Sequence, residues 1–325
     1  GWHWWPADAA INSTNSEPTR SACNNCGPCG MGCPQHARAS ADIAYLAKAE
    51  EAGVILLTQT IAKKIITKNN IVTGLEIIDR AGQTKKIHSN ELVLAGNAIS
   101  TNILLNTISG WDNPLLGKRL MLHPTAIVTG FFGDDLKSYS GPFATSIISQ
   151  EFYETDTRRN FLRGFQLQAL RGQGPLSTAL GGYGQRLEWG AGHLHAFTSS
   201  FGRSMSLTVT CEDLPEHENR IQIDNSRKDQ FDMPIAKMFY RLGENTKRMR
   251  HFGIERAKEW LRAAGARRLA TTPLSVQAGF HMLGTAPMSS DIKTGVTGHD
   301  GRVHGIKNLT VIDASVFVTS SPVNP

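Results

Sequence analysis

An α/β fold with two kinds of domain is what this sequence predicts, on three observations. Residues 92–105 read Leu-Val-Leu-Ala-Gly-Asn-Ala-Ile-Ser-Thr-Asn-Ile-Leu-Leu. This short apolar run breaks at Gly96 and resumes with helical spacing, as a buried strand turning into a helix does. In the middle third, runs at 125–132, 161–170, 204–210 and 220–224 alternate apolar with polar residues between Gly, Asp and Asn. They suit an antiparallel sheet with one covered face. Residues 245–264 form the clearest helix: Met249, Phe252, Ala257, Trp260, Leu261 and Ala264 trace one apolar stripe, Asn245 stands where a cap belongs, and Gly265 ends it. These changes of texture divide the chain at 1–120, 121–270 and 271–325.

The remaining elements follow in order. Residues 39–53 read as a helix with apolar positions at Ile43, Leu46, Ala47 and Ala49, stopped by Gly53. Strands are expected at 54–57, 60–66, 71–78 and 85–87, a meander leading to the buried strand 91–95. The Gly-rich run 172–184, with Gly190 and Gly192 beyond it, has no phosphate-loop spacing and reads as a mobile surface or lid segment. His193 and His195 alternate on what reads as a strand; they would make a metal pair or, more simply, two satisfied or solvent-facing imidazoles. His123 and His304 read as structural.

Composition excludes several classes. At 325 residues and 40% hydrophobic content the chain buries a sizeable core across two sub-domains. No apolar run reaches the roughly 18 residues of a membrane span, and no basic-then-apolar leader is visible, so the expectation is a soluble protein of the cytoplasm or periplasm. The net charge of +6 is spread along the chain, and its local clusters, 247–250 and Arg267-Arg268, read as solvated faces. No basic stripe is interleaved with aromatics, which argues against nucleic acid. No Gly-x-Ser-x-Gly elbow supports a serine hydrolase.

Four of the five cysteines fall in eleven residues: Cys23-Asn-Asn-Cys26-Gly-Pro-Cys29-Gly-Met-Gly-Cys33-Pro34. The C-x2-C-x2-C-x3-C-P spacing is that of a bacterial ferredoxin run, which points Cys23, Cys26, Cys29 and Cys33 at an iron–sulfur cluster. A zinc ion held by four thiolates and a disulfide loop in an oxidising compartment are the alternatives left open. Cys211 is isolated and reads as a buried, inert thiol.

The closing segments carry the chemistry. Gly279-Phe280-His281-Met282-Leu283-Gly284-Thr285 sets a His beside a Gly turn, 308–315 is a strand closed by Asp313-Ala314-Ser315, and the chain ends Pro322-Val323-Asn324-Pro325. An alcohol that loses hydride must also lose its hydroxyl proton, and a neutral His is suited to take it. Together with 92–105 and Gly117-Lys118-Arg119-Leu120-Met121-Leu122-His123-Pro124, these stretches stand in an order that resembles the glucose-methanol-choline (GMC) family of FAD-dependent alcohol oxidoreductases. The resemblance implies a partial Rossmann-like FAD-binding domain at 1–120, carrying the Cys-rich segment 23–34. It implies an antiparallel-sheet substrate domain at 121–270 and a return to the FAD domain at 271–325.

It also implies site residues. His281 corresponds to the catalytic base and Asn324 to its hydroxyl-binding partner. Ile61 would meet the adenine through its backbone, and Asp313, Ala314, Asn324 and Pro325 would lie by the flavin. Ala286-Pro287-Met288-Ser289 departs from the family's usual Arg-Met-Gly. No Gly-x-Gly-x-x-Gly follows a strand, so the family's first FAD-binding motif is expected to be missing, as is its last helix. The expected activity is FAD-dependent oxidation of a primary or secondary alcohol of a sugar, polyol or sugar acid, as in gluconate and sugar dehydrogenases. Electrons would pass to a cytochrome, quinone or cluster rather than to oxygen. The competing expectation is a non-catalytic iron–sulfur electron-transfer module or inactive fragment.

Overall fold

The computed structural model describes residues 1–15, 18–27, 29–142, 145–182, 187 and 189–325. In chain order its main elements are β1 (Trp5–Pro6), a π-helical turn (Asp42–Leu46) running into α1 (Ala47–Glu51), β2 (Ile61–Lys68), β3 (Ile71–Ile78), β4 (Thr84–His88), β5 (Leu92–Leu94) and α2 (Asn97–Leu105). There follow β6 (Thr125–Phe131), β7 (Thr145–Ser149), β8 (Phe165–Leu170), α3 (Pro175–Ala179), α4 (Ala191–Ser200) and β9 (Ser204–Cys211). The last are β10 (Arg220–Lys228), β11 (Pro234–Phe239), α5 (Glu244–Ala263), β12 (Arg268–Thr272) and β13 (Leu309–Val311). No helix among the described residues is long and apolar enough to cross a membrane.

Several local expectations change. The helix before Gly53 forms and closes with a Schellman pattern, Val54 N–H to Ala49 C=O and Gly53 N–H to Glu50 C=O, with Gly53 at φ +94°. None of its residues is fully buried, however. Residues 54–57 form no strand; their four apolar side chains are exposed. His193 and His195 lie on α4, not on a strand, and His193 Nε2 bonds the Ala179 carbonyl at 2.7 Å. Asn245 falls inside α5, one residue after its start. Of the Gly-rich run, residues 183 and 184 lie outside the described residues, while α3 forms within the rest.

The chain divides into two units. The first comprises Gly1–Leu56, Pro124–Cys211 and Lys247–Val276, and its centre is one antiparallel sheet of order β1-β7-β8-β9-β6-β12. Strand alternation sorts the side chains cleanly. Ala126 and Val128, Phe165, Leu167 and Ala169, and Leu207, Val209 and Cys211 form a core with Met249, Ile254, Ala257 and Leu261 of α5. Gly253 lets that helix approach, since a Cβ there would stand 2.3 Å from Val209 Cγ1. Trp2 joins this core edge-on to Phe152, at 5.0 Å. The alternate residues on β8, β9 and β6 are polar yet buried: Gln166, Gln168, Ser206, Thr208, Thr210 and Thr129. They satisfy one another in part, as with Thr129 Oγ1 and Ser206 Oγ at 2.8 Å.

The second unit comprises Leu57–His123, Glu212–Thr246 and Gln277–Pro325. The expected meander is present as the antiparallel sheet β2-β3-β4. The run at 220–224 does not join the six-stranded sheet; β10 folds back on β11 as a hairpin, because a turn closed by Asp229 Oδ1 on the N–H groups of Phe231 and Met233 makes the local pairing immediate. β5 pairs in parallel with β13, Leu92 opposite Leu309 and Leu94 opposite Val311. Only one face of β5 is covered: Leu94 is buried whereas Val93 is 53% exposed. Asn308 stitches strand ends together by accepting from Val72 N–H at 2.7 Å and donating to Val72 C=O at 2.8 Å. The boundaries drawn from sequence at 120 and 270 fall near the crossings at 123/124 and 276/277, while residues 1–56 group with the six-stranded sheet and 212–246 with the second unit.

Candidate active site

Backbone pairing explains why distant motifs of the second unit meet. Met121 and Leu283 exchange N–H···O=C bonds of 2.9 and 3.0 Å, and Thr285 N–H reaches the Lys118 carbonyl at 3.1 Å. Gly284 N–H bonds the Ala314 carbonyl at 3.1 Å, and Thr285 Oγ1 donates to the Ala98 carbonyl at 3.0 Å. The turn after His281 is thus fastened to residues 117–123, to the Asp-Ala-Ser turn and to the start of α2. Gly284 is required there: its φ is +78°, and a Cβ would sit 2.1 Å from the Arg119 carbonyl oxygen. Gly284→Ala is expected to destabilise the protein by about 1–3 kcal/mol, through forced backbone movement. A urea-unfolding midpoint equal to that of the parent would contradict this fastening.

His281 meets a second imidazole. Its Nδ1 lies 2.9 Å from Nδ1 of His123, with the rings at 84° to each other. His123 is 1% exposed, and its Nε2 lies 3.2 Å from the Ser320 carbonyl oxygen. Ser320 is clamped in turn: its Oγ accepts from Asp213 N–H at 2.8 Å and donates to Asp213 C=O at 3.1 Å. The Asp213 carboxylate accepts from Tyr240 Oη at 2.8 Å, Thr246 Oγ1 at 3.1 Å and Leu122 N–H at 3.3 Å. Phe280 packs edge-on to His281 at 4.6 Å.

Burial governs the charges. It lowers the His281 imidazole to about 4, with a smaller contribution from His123, and it lowers His123 as well, against the pull of the Ser320 and Ser321 carbonyls. It raises Asp213 to about 6 despite three hydrogen bonds that favour the carboxylate. At neutral pH the pair of imidazoles is therefore uncharged, and the half-buried His281 can take a proton from a hydroxyl.

The residues expected at a cofactor are spread over the same unit. Ile61 opens β2 and is half-buried. Asp313 follows β13 and caps a short 3-10 turn, Ala314–Val316, by accepting from Ser315 N–H at 2.9 Å; its other oxygen accepts from Thr101 of α2. This junction lies at the carboxyl ends of the parallel strands β5 and β13, where α/β folds bind ligands. Ile312 is 65% exposed there, and the buried Ser315 hydroxyl has no partner among the described residues. An uncovered apolar edge beside an unmet polar group fits a cofactor such as FAD. Asn324 and Pro325 are exposed at the chain end, four and five residues beyond the Ser320 carbonyl that faces His123.

Among the described residues the cysteine segment shows no grouping placed to hold a metal. Cys23, Cys26, Cys29 and Cys33 line one small pocket of the first unit, yet no group of three or more His, Cys, Asp or Glu among the described residues is placed to hold an ion. Two of the sulfurs have backbone partners of their own. Cys23 Sγ lies 3.4 Å from Asn25 N–H, and Cys33 is bound by backbone N–H groups, foremost that of Arg38, which lower its thiol from the ordinary range. No disulfide joins the described cysteines. The expected cluster, and the electron-transfer module built on it, thus gain no support.

Ser320 and Asp213 were not singled out from sequence, and His123, read there as structural, stands against His281. The one signal was a His before Pro124 in the stretch 117–124, and nothing in its spacing links it to residue 281.

A parallel strand pair with a helix after its first strand and an Asp-Ala-Ser turn after its second thus frames the turn that carries His281. Models of the GMC oxidoreductase family match residues 7–125 and 215–325, together more than half of the chain, and the protein belongs to that family. A 2-methyl-1,2-propanediol dehydrogenase of Mycolicibacterium austroafricanum is 32% identical over all of this chain and 61% of its own length. The fructose dehydrogenase large subunit of Gluconobacter japonicus is 23% identical over 98% of this chain and 59% of its own. Paromamine 6'-oxidase of Streptomyces fradiae is 23% identical over all of this chain and 59% of its own. The chain therefore spans about three fifths of the length of these relatives. Among solved structures, pyridoxine 4-oxidase from Mesorbium loti superposes with a TM-score of 0.58 at 16% identity, over 88% of this chain and 58% of its own. A formate oxidase gives 0.56 at 17%, over 82% and 57%. These likenesses show the fold, an α/β chain with an antiparallel sheet.

Proposed function

We propose that the protein oxidises a primary or secondary alcohol of a sugar, polyol or sugar acid, with His281 as the base. The observation that carries this reading is the His281 imidazole, half-buried and held uncharged at neutral pH against His123. FAD, when bound, supplies the acceptor for hydride; Ile61, Asp313, Ala314, Asn324 and Pro325 are the residues of this chain that would hold it. His281 removes the hydroxyl proton as the carbinol carbon gives up hydride, and Asn324 bonds the same hydroxyl. Two of the relatives above are named as dehydrogenases and one as an oxidase; we favour the dehydrogenase, with a quinone or cytochrome as acceptor. Anaerobic mixing of the flavin-loaded protein with a panel of sugars, polyols and simple alcohols should bleach the oxidised-flavin absorption with at least one of them, and quinone should restore it faster than oxygen. A flavin left oxidised by every alcohol would end this reading.

A further inference from the structure

Two imidazole nitrogens 2.9 Å apart share one proton, and the partners on the far side of His123 decide which ring carries it. The Ser320 carbonyl oxygen can only accept, so His123 Nε2, 3.2 Å away, bears the hydrogen. Burial of His123 to 1% exposure opposes a second proton on the same ring. His123 Nδ1 is then bare and accepts from His281 Nδ1–H. What remains on His281 is an unprotonated Nε2. These tautomers are assigned from the hydrogen-bond partners.

We propose that His123 is a positioning residue for the reaction: Ser320 fixes its tautomer, and His123 passes that choice on to His281, so that Nε2 of His281 presents a lone pair to the alcohol. The proposal rests on the reading of His281 as the base. As the reaction proceeds, the alcohol O–H bond breaks and an N–H bond forms at His281 Nε2, while the hydride pair leaves in the oxidation proposed above. The imidazolium so formed keeps its Nδ1–H on His123. That hydrogen bond becomes charge-assisted as the proton arrives, so it is stronger in the transition state than before it. A ring held only by packing would divide its population between two tautomers, one of which has no base to offer. The clamp continues behind Ser320, where the two bonds to the Asp213 backbone fix the carbonyl that starts the relay.

Selective 15N-histidine NMR on the flavin-loaded holoenzyme at neutral pH reads the tautomers directly, with His281→Ala to assign the signal. Expected are a protonated Nδ1 and bare Nε2 on His281, and a protonated Nε2 on His123. A protonated Nε2 on His281 overturns the proposal. Kinetically, His123→Leu should lower kcat about 10–100-fold, the usual range for an outer partner, with KM little changed. His123→Asn, whose Oδ1 can accept where Nδ1 did, should recover most of the loss. If His281→Ala abolishes turnover while His123→Leu turns over like the parent, positioning by His123 is refuted and the base survives. If His281→Ala itself turns over normally, it is the base assignment that fails. Should His123→Leu not load flavin, the tautomers of the parent protein decide the question alone.

Discussion

Replacing His281 by Ala should lower kcat/KM for alcohol oxidation by about 10²–10⁴-fold, the usual worth of a positioned base and equivalent to roughly 3–5 kcal/mol of transition-state stabilisation. The loss should appear mainly in the rate of flavin reduction. His281 is half-buried and lies outside the apolar cores built on Leu309, Leu105 and Leu120, so flavin content and thermal stability should change little. A variant that lost flavin along with activity would instead mark His281 as a packing residue. The turn itself is secured by Gly284, Thr285 and Leu283 through backbone bonds that the substitution leaves intact.

Asp213 is expected to dominate the stability of the same neighbourhood. Asp213→Ala removes the acceptor shared by the Tyr240 hydroxyl, the buried Thr246 hydroxyl and the Leu122 N–H, and should cost about 2–4 kcal/mol through the lost hydrogen bonds. Asp213→Asn can keep an acceptor toward Tyr240 and Leu122 while its amide donates to Thr246, and should cost less than about 1 kcal/mol. The pH dependence separates them further. Asp213 is raised from 3.8 to about 6, so between these values the folded state binds more protons than the unfolded. Its contribution is full below 3.8 and is lost as pH rises through about 6. His281 acts oppositely: lowered from 6.5 to about 4, it makes stability fall as pH drops from 6.5 toward 4. In urea unfolding from pH 4 to 6, Asp213→Asn should therefore show a steeper rise of stability with pH than the parent. Parallel curves for parent and variant would show that Asp213 titrates alike in both states.

Much of this fold could be read along the chain because it rests on local periodicity. The meander at 61–88, the strand-turn-helix at 92–105, the alternating runs of β6, β8 and β9 and the stripe of α5 all declare themselves by spacing of 2 or 3.6. Periodicity says nothing about partners, and there the reading failed. The run at 220–224 alternates like its neighbours but pairs with β11, because a hairpin turn lies next to it. Residues 54–57 are apolar enough for a strand and find no ladder. Motif order brought His281, Asp313 and Ala314 forward, and the structure places them in one unit, linked by the Gly284 to Ala314 bond. It could not bring forward His123 and Ser320, which join His281 from 158 residues upstream and 39 residues downstream. The cysteine spacing was the loudest motif of all, yet spacing fixes only the reach of the thiols. Backbone N–H groups at Asn25 and Arg38 face the sulfurs of Cys23 and Cys33.

The limiting rate of anaerobic flavin reduction, followed against pH, tests most directly whether a neutral His281 draws the proton from the alcohol. With an imidazole held to about 4, the parent protein should reduce its flavin at a steady rate from neutral pH down to about pH 5 and lose it as pH falls through about 4. In His281→Ala that acid limb should vanish, leaving a slow rate that climbs with pH as solvent base takes over. The same limb at the same pH in both proteins would contradict the assignment of His281 as the base.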